Sequence, residues 1–104
     1  MASRALAISE AAFQAQVVQL ATLNGWHTYH THDSRRSAAG YPDLHIWGHR
    51  RAFMAELKAE RGHLSLDQRR VIAQLRAAGV DVRCWRPSDW DEIVATLTRP
   101  KVSK

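Results

Sequence analysis

Asp43, Glu56 and Lys58 are the side chains whose types and spacing most readily do chemistry. Asp43 opens the alternating run DLHIW, Glu56 and Lys58 close the run AFMAELK, and Gly48-His49-Arg50-Arg51 lies around the junction. Read as a β-hairpin with His49 and Arg50 as its two-residue turn, the runs set Leu44 across from Ala55 and Ile46 across from Phe53. One face is then uniformly apolar, whereas a slip of one residue would oppose apolar to polar positions. The same register sets Asp43 across from Glu56, with Cβ atoms about 5 Å apart, and puts Lys58 on that face just beyond. Carboxylates facing each other on a sheet repel, so the pairing needs a cause. A hard divalent cation is one, since Mg²⁺ is held by one or two carboxylates while keeping waters and phosphate oxygens. A salt bridge in which Lys58 offsets both acids is the plainer alternative.

Other patterned segments must position these groups. Ser9 is an N-cap for a helix in which Phe13, Val17, Leu20 and Ala21 recur at helical spacing until Asn24-Gly25 stops it. Trp26 to His32 reads as a strand, followed by the polar loop DSRRSAAG, and Pro42 suits the first residue of the hairpin. Ser65-x-x-Gln68 is a capping-box pattern opening a second helix that ends at Gly79. Val80, Val82 and Cys84 alternate with Asp81, Arg83 and Trp85 in a fourth strand stopped by Arg86-Pro87, with Cys84 as core filler. Ser88 caps a short last helix carrying Trp90, Ile93, Val94 and Leu97 on one face. The spacing predicts one α/β domain over residues 9–98, with a mixed sheet and helices on both faces, then a disordered basic tail over residues 99–104.

The 104 residues suffice for one domain, and 15 Lys and Arg against 10 Asp and Glu give a formal charge of +5 that favours a polyanionic partner. A single cysteine fits a reducing, intracellular (cytoplasmic) location, and no apolar run approaches membrane-spanning length.

Gly40-Tyr41-Pro42-Asp43 followed by Glu56-Leu57-Lys58 resembles the signature of the PD-(D/E)XK nuclease superfamily, and the element order is similar to its restriction-endonuclease-like αβββαβ core. Gly62, Leu64, Ser65, Gln68, Leu75, Ala78-Gly79 and Trp85-Arg86 further resemble the virus-type replication-repair nuclease (VRR-NUC) family, over Glu10 to Leu97. The resemblance implies that Asp43, Glu56 and the Leu57 carbonyl bind Mg²⁺ or Mn²⁺ and that Lys58 orients the attacking water. It further implies an endodeoxyribonuclease acting on branched or structured DNA in repair, like a Holliday-junction resolvase and as a homodimer. The rival reading is a non-catalytic DNA-binding module that keeps the fold, against which the intact Asp43, Glu56 and Lys58 argue.

Glu10 shares a helical stripe with Phe13, Gln14 and Val17, so it opens the face turned toward the core, where a carboxylate would have to meet a metal or water. It is otherwise an ordinary first-turn acid favoured by the macrodipole; the resemblance implies the catalytic role. Gln68 either touches the active site or completes the capping box. His27 faces opposite to His30 and His32 on a strand, which argues against zinc. His30, His32, Arg35 and Arg36, with Arg61 and His63 from the other side, are candidate phosphate contacts; the alternative is solvated loops. Trp47 reads as a core or dimer-contact aromatic ahead of base stacking.

Overall fold

The computed structural model describes residues 8–31 and 39–98. Helix α1 (Glu10–Leu23) begins where the Ser9 side chain accepts a hydrogen bond from Ala12 N at 3.1 Å and ends at Asn24, before Gly25 with φ +84°. Strand β1 (His27–His30) follows, then the hairpin of β2 (Leu44–Gly48) and β3 (Arg51–Leu57). Helix α2 (Leu66–Ala77) crosses over to β4 (Val82–Trp85), and a 3₁₀ turn (Pro87–Asp89) leads into α3 (Trp90–Thr98). The chain is thus a mixed α/β fold, its four-stranded sheet ordered β1-β2-β3-β4 with the first two pairings antiparallel and β3-β4 parallel.

The hairpin register is the one the apolar alternation selects: Leu44 pairs with Ala55 and Ile46 with Phe53. His49 and Arg50 form the turn with φ of +52° and +67°, the doubly left-handed geometry that matches the strand twist. On one face Leu44, Ile46, Phe53, Ala55, Leu57 and Trp85 pack against Phe13, Val17 and Ala21 of α1 and Ile93 and Leu97 of α3. The Trp26 indole N–H donates to the Leu97 carbonyl at 2.8 Å, which satisfies a buried polar group and ties β1 to the last helix. On the other face Met54 and Val82 pack with Ile72, against which Leu64, Leu75 and Val80 close a smaller cluster. Parallel pairing requires such a crossover helix, and α2 buries that half of the face.

Several details differ from the sequence reading. Strand β1 is confined to His27–His30, and β2 starts at Leu44 because Pro42 and Asp43 still belong to the entering loop. Cys84 pairs with Glu56 and is only half-buried, and it belongs to neither core cluster. The last helix is entered through a 3₁₀ turn, because Pro87 fixes the first φ and the Asp89 carboxylate accepts from Arg86 N at 2.8 Å. Ser88 N donates instead to Glu60 Oε1 at 2.9 Å. The expectations for His32, Arg35, Arg36 and the 99–104 tail lie outside the described residues.

Candidate active site

The C-terminal ends of β1, β3 and β4 and the N-terminal end of β2 meet at one end of the sheet. Asp43 enters there, one residue before the ladder begins. Its Oδ2 accepts from Leu57 N at 2.9 Å and its carbonyl accepts from Thr31 N at 3.2 Å, so the carboxylate continues the strand pairing where the backbone has left it. Gly40 makes this entry possible: a Cβ there would lie 2.3 Å from the Asp67 carbonyl oxygen and 2.8 Å from Gln68 N, and its φ is +87°. The loop carrying Asp43 therefore rests directly on the first turn of α2, an approach only glycine permits.

Glu56 is fully buried, and its side chain lies between Asp43, Gln68 and Lys58. Gln68 contacts both Ser65 and Glu56. Its Oε1 accepts from Ser65 N at 2.8 Å while its own N–H donates to Ser65 Oγ at 3.0 Å, completing the capping box. That fixes the amide orientation and leaves Nε2 to donate to Glu56 Oε2 at 2.9 Å. Lys58 Nζ stands 4.0 Å from the same Oε2, with its side chain 13% exposed. Among the described residues Glu56 Oε1 is the buried side-chain oxygen left without a donor.

Burial is the largest cause that pushes the Glu56 carboxyl up to about 8; the Asp43 charge and then a side-chain hydrogen bond with Asp43 add to it, Lys58 opposes it and Glu10 contributes last. With both carboxylates ionised Oε1 has no donor, and a proton shared with Asp43 supplies one. Burial and the facing Asp43 charge thus favour the protonated form of Glu56, and a cation can take the place of that proton. The donor set fits a hard divalent ion: two oxygens from Asp43 and Glu56, one of them orphaned, leave room for a backbone carbonyl, water and phosphate. Among the described residues no three His, Cys, Asp or Glu side chains gather around one point.

Glu10 departs from the expectation of a core-facing acid: it is exposed on the first turn of α1, and its charge reaches Glu56 as the weakest influence on that carboxyl. The buried stripe of α1 is Phe13, Val17 and Ala21, and Glu10 one turn earlier is not part of it. His30 pairs with Leu44, at the site end but on the sheet face away from Glu56, while His27 lies on the Glu56 face. Arg61 and His63 are exposed on the loop after Lys58. Trp47 is 43% exposed, so it is not a core residue.

Sequence reasoning missed Arg86. Its guanidinium donates to the Gly62 carbonyl at 2.7 Å, and with the Ser88–Glu60 bond it pins the loop that follows Lys58 to the end of β4. The Trp85-Arg86 pair carried a signal only through resemblance, because the contact joins residues remote in sequence. A family model described as the VRR-NUC domain matches residues 5–89, most of the chain. The chain belongs to the VRR-NUC domain family. Membership makes it a nuclease-type, DNA-processing domain, and Asp43, Glu56, Lys58 and Gln68 all fall within the matched VRR-NUC segment. No curated protein and no solved structure matches this VRR-NUC chain. No described helix is long and apolar enough to cross a membrane.

Proposed function

We propose that this VRR-NUC chain is a metal-dependent endodeoxyribonuclease that hydrolyses phosphodiester bonds in branched or structured DNA as a homodimer, in the manner of a Holliday-junction resolvase. The observation that carries the reading is the orphaned, buried Glu56 Oε1 beside Asp43. A fold that buries a repelling pair with one oxygen unsatisfied is stabilised only when a proton or a cation occupies the pair.

In this reading Asp43 and Glu56 hold Mg²⁺ or Mn²⁺, with the Leu57 carbonyl as a further donor. Bound there, the ion supplies Lewis-acid polarisation of a phosphoryl oxygen and eases deprotonation of the attacking water. Gln68 holds the Glu56 carboxylate by Oε2, which would leave Oε1 available to a cation. Lys58, three donors on a flexible stem, orients the water and stabilises charge developing on the phosphate. Glu10 at the rim adds negative charge felt by Glu56. Arg61 and His63, with His30, His32, Arg35 and Arg36, contact phosphates and position the strand without reading bases. The functional domain spans residues 9–98.

Labelled duplex, single-stranded, flap and four-way-junction DNAs, each incubated with Mg²⁺, Mn²⁺ or EDTA, test the proposal. Metal-dependent cleavage of the branched substrates, lost in EDTA, is expected. Binding without cleavage under every condition would instead identify a DNA-binding module that keeps the fold.

A further inference from the structure

Among the described residues, the sheet face that carries Asp43 and Glu56 is covered over one half only. Helix α2 buries Met54 and Val82 on β3 and β4, whereas the β1–β2 half carries rings. There His27 pairs with Trp47 and Tyr29 with His45. His27 stacks on Trp47 with centroids 5.6 Å apart, and Tyr41 stacks on His45 at 5.5 Å. Tyr29 meets the His45 edge at 6.3 Å. Tyr29, Trp47 and Tyr41 remain 61%, 43% and 37% exposed.

These rings form a row that leads to the candidate site. Residues 43, 45 and 47 occupy alternate positions running along β2 from its entry, on one face and about 6.8 Å apart per step. The row therefore begins at Asp43 and continues through His45 with Tyr29 to Trp47 with His27. Asp43 is the one acid among these positions, and the chain carries a formal charge of +5, so the surface suits a polyanion with flat apolar groups. Three partly exposed rings offer at most a few hundred Å², roughly, where a stable subunit contact takes about 800 Å² per partner.

We propose that this row of rings is a stacking platform for the unpaired bases of a DNA strand whose phosphates lead into the Asp43–Glu56 pair. Duplex DNA keeps its bases stacked on one another and cannot use the platform, so unpaired bases beside the cleavage point become part of substrate choice. The position of the cut rests on the nuclease reading; the binding of bases does not.

The test is done in EDTA, where cleavage plays no part. Affinities for a short oligo(dT) and for a blunt duplex are compared for wild type, the Tyr29→Ala/Trp47→Ala double variant and the Tyr29→Phe/Trp47→Phe double variant. The alanine pair is expected to lose at least about tenfold in oligo(dT) affinity, the size of a lost stacking contact or more. Its duplex affinity stays within about twofold, because phosphate contacts are untouched, and the phenylalanine pair, which keeps both rings, binds oligo(dT) nearly as wild type does. Oligo(dT) should also quench a component of the tryptophan emission that the single variant Trp47→Phe lacks, a readout that does not depend on the alanine protein folding. Unchanged oligo(dT) affinity, equal losses for both DNAs, or unquenched emission would overturn the platform. A change from dimer to monomer in the alanine variant would overturn it too, by marking the rings as a subunit contact. Absent cleavage with ring-dependent binding intact would count against the nuclease reading alone.

Discussion

Two carboxylates at opposite ends of the central strands have opposite fates. Toward the hairpin end, Asp81 receives a two-pronged hydrogen bond from Arg83 at 2.7 and 3.0 Å, and that bond holds its carboxyl below the usual range. The Arg83 guanidinium also lies over the Phe53 ring at 5.3 Å, and Arg51 lies over Trp26 at 5.7 Å. Asp81 and Arg83 thus compensate each other within the fold. At the other end Glu56 is buried opposite Asp43, has one oxygen without a donor, and is pushed up to about 8. The contrast teaches that the sheet itself does not demand frustrated carboxylates, and that among the described residues the frustration lies at the end carrying Asp43, Glu56 and Lys58.

Substitutions at the frustrated end should therefore reach function, and those at the compensated end should not. The largest effect is expected for Asp43→Asn, which should slow metal-dependent cleavage by about 10³-fold or more while DNA affinity in EDTA stays within about twofold. Single-turnover cleavage alongside anisotropy separates the two quantities. Lys58→Ala should cut about 10²-fold more slowly, a loss of about 3 kcal/mol of transition-state stabilisation, and still bind metal. Loss of metal binding in that variant would make Lys58 a structural clamp on the carboxylates.

The two ends should also differ in their response to pH. Because folding raises the Glu56 carboxyl from 4.5 to about 8, its contribution to stability is full below the unfolded value and is lost as pH rises through the folded one. Urea unfolding in EDTA should thus show the apo protein losing up to a few kcal/mol between about pH 5 and 8, and Glu56→Gln should flatten that dependence. Asp81 has the opposite sign, contributing stability above its unfolded 3.8 and losing it in acid.

Smaller effects sharpen the same comparison. Gly40→Ala forces a Cβ onto the Asp67 carbonyl and should cost about 3 kcal/mol, whereas Gly79→Ala meets nothing within 4 Å and should cost about 1 kcal/mol for its positive φ alone. Asp81→Asn should change stability by no more than about 1 kcal/mol, since the pair is partly exposed, and leave cleavage unaltered.

Much of this was legible in the sequence because the hairpin is its own ruler. Leu44 and Ile46 against Phe53 and Ala55 fix a parity, and that parity alone brings Asp43 to Glu56. The Ser65–Gln68 box was equally legible, since capping depends on residues close in sequence. What stayed hidden depends on contacts between distant segments. Helical spacing put Glu10 on the stripe of Phe13 but could not show that burial along that stripe begins only at Phe13. Gly40 was visible as a glycine, not as the seat of the Asp43 loop on α2. Trp47 was visible as a strand aromatic, yet which half of the face lacks a helix emerges only when α2 docks over β3 and β4. Gln68 was held between two roles because an amide donates and accepts at once, and only the fold shows both ends in use.

The central claim, that Asp43 and Glu56 form a cation site closed in the apo protein by a proton, is tested most directly by calorimetric titration of the intact protein with Mn²⁺ at neutral pH in buffers of different ionisation enthalpy. The account predicts binding by the wild type with release of a substantial fraction of one proton per ion, and weaker binding with almost no proton release by Glu56→Gln. Wild-type binding without proton release, or binding indifferent to that substitution, would contradict it.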